Sequence, residues 1–193
     1  MAETFDTLVA QVRACRLCEK HLPLGPKPVF QIHPAARILI VGQAPGRKAH
    51  VAGLPFDDLS GDRLRRWLGV SRDVFYDQTK FALLPMGFCF PGTGKGGDLP
   101  PRPECAATWR KPLLAMLGQV QLTITLGRYA ANWHLPEEAG KPLAEIVGNW
   151  RAHWPTLLAL PHPSPRNIAW IKRHSWLEDE IIPALQSRVS ALV

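Results

Sequence analysis

The sequence predicts a three-layer α/β/α fold built on a central, mainly parallel four-stranded sheet, within a single domain spanning residues 1–193. Two observations carry that expectation. Short apolar runs rich in Ile, Leu and Val occur at Ala36–Val41, Gln121–Leu126 and Thr156–Leu160, with Phe81–Met86 as a fourth. Each is followed by Gly or Pro, as expected of strands buried on both faces. Segments able to form helices separate them, and strand–helix alternation of this kind builds a parallel sheet with helices on both sides. With 193 residues, 46% of them apolar, the chain fills one substantial core and is short for two.

The helices follow in order. Phe5, Leu8, Val9 and Val12 recur at helical spacing, as do Leu64, Trp67 and Leu68 behind a cap at Ser60. Ser175 with Glu178 forms a capping box for a C-terminal helix that Pro183 interrupts. Ligands of such sheets bind beyond the carboxyl ends of the strands. Chemistry is therefore sought in Gly42–Asp58, Gly87–Glu104, Gly127–Trp133 and Pro161–Lys172.

Lys and Arg number 23 against 16 Asp and Glu, a formal charge of +7 that favours a polyanionic partner. The N-terminal region lacks a signal-peptide core, and no apolar run reaches the roughly 18 residues of a membrane span. We expect a cytoplasmic monomer with no membrane contact. In a reducing compartment the four cysteines are either buried small hydrophobes or ligands rather than disulfides. Cys15 and Cys18 form a C-x-x-C pair, and Cys89 and Cys105 flank a Pro/Gly-rich loop. Four thiolates suit zinc and iron–sulfur clusters alike, so spacing alone leaves both open.

Two loop motifs stand out. Gly42-Gln43-Ala44-Pro45-Gly46 leaves the first strand, with Pro55-Phe56 downstream. Alone, it reads as an ordinary Gly/Pro turn. His162-Pro163-Ser164-Pro165-Arg166-Asn167 leaves the last strand, followed by Lys172, Arg173 and His174, which either meet phosphates or form a solvated helix face. PGTGKGG at Pro91–Gly97 is no phosphate-binding P-loop, because Cys89 and Gly96 stand where Gly and Ser/Thr are needed. It reads as a flexible loop with Lys95 available to a phosphate.

Taken together, the motifs and the cysteine order resemble the iron–sulfur (family 4) branch of the uracil-DNA glycosylase superfamily. The resemblance implies a [4Fe–4S] cluster on Cys15, Cys18, Cys89 and Cys105, with zinc as the alternative. It implies a DNA partner carrying a damaged or deaminated base, extruded from the helix and released by N-glycosidic hydrolysis. Phe56 then stacks on the base, and Gly42, Ala44 and Pro45 line its pocket. His162 donates to the base oxygen that gains charge as the bond breaks. Pro163, Ser164, Pro165, Arg166 and Asn167 press on the DNA.

The sequence also departs from that family. Gln43 replaces the Glu of GEAPG, Ala49 and His50 replace a Glu-Asp pair, and Pro85 replaces the asparagine that reads the uracil edge. Gln43 can hold a water through its amide but cannot take its proton. Asp57 and Asp58 follow Phe56: either one approaches the sugar, with Asp57 the first choice, or they cap the next helix. A lesion-binding protein without catalysis and an iron–sulfur redox sensor are the competing functions.

Overall fold

The computed structural model describes residues 4–193. In chain order its strands are β1 (Ile38–Val41), β2 (Phe81–Leu83), β3 (Thr93–Gly94), β4 (Gly97–Asp98), β5 (Leu122–Leu126) and β6 (Leu157–Leu160). Its α-helices are α1 (Phe5–Arg13), α2 (Arg47–Ala52), α3 (Leu59–Leu68), α4 (Arg72–Tyr76), α5 (Pro103–Ala115), α6 (Arg128–His134), α7 (Leu143–Gly148), α8 (Ile168–Arg173) and α9 (Ile182–Ser190). The four expected strands form one parallel sheet in the order β2-β1-β5-β6, while β3 and β4 pair as a separate antiparallel ribbon.

Burial on both faces explains why the strands read as unbroken apolar runs. In β1, Ile38 and Ile40 enter one core with Leu64, Trp67 and Leu68 of α3 and with Leu185 and Val189 of α9. Leu39 and Val41 enter the opposite core with Leu8 and Val12 of α1 and Leu113 of α5. Alternate side chains of a strand leave on opposite faces, so each side of the sheet needs its own helical layer. Burying each Leu contributes roughly 1.5–3 kcal/mol. The expected three layers are observed.

Local chemistry sets the helix ends. The Thr4 hydroxyl accepts from the Thr7 backbone N–H and starts α1. Helix α3 is capped by Asp58, whose carboxylate accepts from the Gly61 N–H at 2.9 Å, not by Ser60, which lies inside the helix. A carboxylate placed one residue before the helix suits its unpaired N–H groups. The expected capping box at Ser175 is replaced by a π-helical turn, Leu177–Ile181, which runs into α9 with Pro183 in its first turn. Proline brings no N–H to the ladder, and a widened turn accommodates that loss.

Pairing continues past the formal strand ends. Leu84 N–H donates to the Ile40 carbonyl, Met86 N–H to Gly42 and Gly87 N–H to Gln43. The backbone after β1 is thereby held extended as it leaves the sheet. The Pro91–Gly97 segment, expected to be a flexible loop, instead contributes to the β3–β4 hairpin, with Lys95 and Gly96 at its tip.

Candidate active site

A cavity of about 840 Å³, counting its open mouth, lies at the carboxyl edge of the sheet. Gly42 to Gly46 enter it from β1, Pro85 from β2, and His162, Ser164 and Arg166 from β6; Phe56, Asp58 and Asp98 also line it. Segments distant in sequence converge because parallel strands end on one edge.

Phe56 occupies a constrained position. Among the described residues it is the one non-glycine position with positive φ, at 56°, a conformation a bulky side chain adopts only when its surroundings impose it. Those surroundings are visible. Tyr76 Oη donates to the Pro55 carbonyl at 2.8 Å, and Arg65 donates to the Phe56 carbonyl at 3.3 Å. Gly61 leaves room for that same carbonyl, since a Cβ there would fall 1.7 Å from the oxygen. The Phe56 ring packs against Gly42, where a Cβ would approach it to 3.2 Å.

The half-buried His162 faces Phe56. Burial holds its imidazole below the usual histidine range, with the charges of Asp58 and Asp98 pulling the other way. A neutral ring offers one N–H to a ligand oxygen. Its loop is fixed from outside: Asn167 Nδ2 donates to the His162 carbonyl at 2.7 Å, and Arg63 donates to the carbonyls of Pro163 and Ser164 at 3.1 and 3.0 Å. Arg63 escaped notice in the sequence, where a basic residue on a helix carries no mark of its partner.

The two motifs also grip the β3–β4 hairpin. Gln43, which lines the cavity, donates from Nε2 to the Leu99 carbonyl at 3.0 Å, and this bond leaves its Oε1 available as an acceptor. Arg166 Nη1 donates to the Gly96 carbonyl at 3.0 Å, and a Cβ on Gly97 would overlap that guanidinium. Arg166, expected as a phosphate contact, is thus tied to this chain's own backbone. Lys172 and Arg173 are exposed at the end of α8, while His174 stacks on Trp170 at 4.0 Å. Pro165 is exposed, Pro163 is buried, and Asn167 lines a neighbouring groove with His162 and Arg166.

The carboxylates are arranged differently from expectation. Asp57 is outside the cavity lining, and its carboxylate pairs with Arg72 at 2.8 Å. Asp58, next in sequence, lines the cavity while capping α3. Entry into the helix turns the two neighbours to different sides, so Asp58, and not the expected Asp57, lines the cavity. Asp98, on β4, lines the cavity although no motif singled it out. Pro85 lines the cavity too, while its carbonyl and that of Leu84 accept from the buried Arg110.

The four cysteines, all free, line a second cavity of about 400 Å³ with Phe88 and Trp109. Phe88 N–H donates to Cys105 Sγ at 3.3 Å, and Trp109 Nε1–H to Cys15 Sγ at 3.2 Å. Burial pushes the Cys89 thiol up to about 11 and Cys105 up to about 12, so thiolates there call for a compensating metal charge. Among the described residues no group of three or more His, Cys, Asp or Glu is set as a ready metal-ion site. No helix among them is long and apolar enough to cross a membrane.

Fold and cavity together define an α/β protein with a cavity at the carboxyl edge of a parallel sheet, lined by an aromatic ring and a histidine. Residues 29–186 match the sequence profile of the uracil DNA glycosylase superfamily, and the chain belongs to that superfamily, whose members act on DNA. Its fold is similar to the solution NMR structure of a Methanosarcina acetivorans protein provisionally assigned as a uracil DNA glycosylase. That match has a TM-score of 0.50 at 15% identity and covers 83% of this chain and 98% of the other.

Proposed function

We propose that this protein is a monofunctional DNA glycosylase that removes uracil or another deaminated base by hydrolysing the N-glycosidic bond, working as a monomer in the cytoplasm. The observation carrying this proposal is the convergence of Phe56, Gln43 and His162 on one cavity of a superfamily member. A flipped base stacks on Phe56 and accepts a hydrogen bond from the His162 imidazole at the oxygen that becomes negative. Gln43 Oε1 accepts a hydrogen from a water beside the sugar, aiming its lone pair inward. Because an amide is no base, Gln43 places the water without taking its proton, and the bond breaks ahead of water attack.

The chain's cysteine order supports the iron–sulfur branch of the superfamily. We propose that Cys15, Cys18, Cys89 and Cys105 hold a [4Fe–4S] cluster; the shared cavity and the N–H donors to two of the sulfurs fit such a group. When bound, it supplies a covalent brace between the N-terminal segment and the loop before α5.

The test is a single-turnover screen of anaerobically purified protein against duplexes carrying uracil, hypoxanthine, xanthine or oxidised pyrimidines. Release of one deaminated base, slowed on the order of a hundredfold or more by His162→Ala, is expected. Tight, lesion-selective binding with no base released from any duplex replaces the enzyme by a lesion-recognition protein.

A further inference from the structure

The motif after β1 lacks the acid that a glycosidic site uses to face a developing sugar cation, and Asp57 is paired elsewhere. We propose that Asp98, on the hairpin inserted between Cys89 and Cys105, is the carboxylate of this site and faces the sugar of the flipped nucleotide. This rests on the cavity being a glycosylase site.

Three observations carry the assignment. Asp98 lines both the main cavity and the adjoining groove, each also lined by Gln43, His162 and Arg166. Its Oδ2 lies 3.3 Å from where a Cβ on Gly46 would be, so the carboxylate leans over the backbone of the first motif. Its two chain neighbours are tied to the two motifs. Gly97 is packed under the Arg166 guanidinium, and the Leu99 carbonyl accepts from Gln43. Thr93 Oγ1 contacts Asp98 Oδ1 at 3.3 Å across the ribbon. The side chain is exposed, which fits a position at the mouth. A base enters a pocket first, and its sugar stays near the rim with the DNA backbone.

The bond from C1′ to the base nitrogen breaks with its electron pair leaving on the base, and C1′ becomes an oxocarbenium carbon. Asp98 stabilises that charge electrostatically. Water oxygen then bonds to C1′, its proton passes to the Asp98 carboxylate and on to solvent, and the base anion takes a proton from solvent. Asp58, engaged by the helix N-terminus, is left to its cap.

The test avoids the identity of the base. Holoprotein is titrated with a duplex carrying a cationic pyrrolidine nucleotide, which mimics the sugar cation, and with one carrying the neutral tetrahydrofuran analogue. Wild type should prefer the cationic duplex by about tenfold or more. Asp98→Asn, which preserves size and the Thr93 contact, should reduce that preference at least about fivefold with little change toward the neutral duplex, while Asp98→Glu retains part of it. Unchanged preference in Asp98→Asn, with circular dichroism and iron content intact, overturns the Asp98 assignment and leaves the glycosylase reading standing. Wild type binding both duplexes without preference also overturns it. Wild type binding neither better than unmodified DNA overturns the glycosylase reading itself, and Asp98 with it.

Discussion

The Phe56 and His162 rings lie 6.4 Å apart, centroid to centroid, with only 29° between their planes. One ring is fixed by strained backbone at the start of α3, the other by Asn167 and Arg63 holding the loop after β6. A flat wall and a hydrogen-bond donor are thereby presented together. His162→Ala should lower single-turnover base release on the order of a hundredfold to a thousandfold, with the fold intact by circular dichroism. An unchanged rate in a folded variant would remove His162 from the reaction.

Gln43 and Asp57 should separate cleanly. Gln43→Ala deletes the proposed water acceptor and the tie to Leu99, so the rate should fall about tenfold or more. Asp57→Asn breaks an exposed, solvent-screened pair with Arg72 and should leave the rate within about twofold. Parallel rate measurements check both; a large loss in Asp57→Asn would restore it as the acid nearest the sugar.

Gly61→Ala probes the turn beneath Phe56. Its new Cβ would meet the Phe56 carbonyl oxygen at 1.7 Å, and backbone on both sides cannot yield cheaply. Destabilisation of roughly 2 kcal/mol or more, a Tm loss of about 4–8 °C, is expected by denaturant and thermal unfolding. A variant as stable as wild type would mean that the turn relaxes freely.

Acid should act through His134. Arg110 Nη2 lies 2.8 Å from His134 Nε2, so the imidazole accepts in its neutral form, and burial, with Arg110 beside it, pushes it down to about 4. A folded value below the unfolded one means that the unfolded chain binds the extra proton first. Stability is therefore full above about pH 6.5 and is lost as pH falls toward about 4, by at most on the order of 3 kcal/mol. His134→Gln keeps an acceptor without titrating, and urea unfolding across that range should show a shallower slope. Equal slopes would assign the acid sensitivity elsewhere, His50 and His162 being depressed in the same direction.

Protein purified without oxygen should be brown and carry about four iron and four sulfide per chain. Cys89→Ser should lose the colour and much of the soluble yield, since the β3–β4 hairpin lies between Cys89 and Cys105. Stoichiometric zinc without labile sulfide, in protein never exposed to chelator, would replace the cluster.

The amino-acid sequence by itself determined the four strands, because burial on both faces writes continuous Ile, Leu and Val runs. It also determined where the cavity forms, since loops leaving parallel strands share an edge, and Gly42–Gly46, Phe56 and His162 meet there. Local rules reached less far at ends and partners. Asp58 rather than Ser60 caps α3, and a π-turn stands where Ser175 and Glu178 spell a capping box. The carboxylates were decided by tertiary structure alone. Asp57 and Asp58 are adjacent in the chain, yet one pairs with Arg72 and the other lines the cavity; Asp98 reaches the same cavity from a hairpin pinned by Arg166 and Gln43. Spacing along a strand or helix fixes which face a side chain takes, but which distant partner holds it depends on contacts formed only when the chain closes on itself.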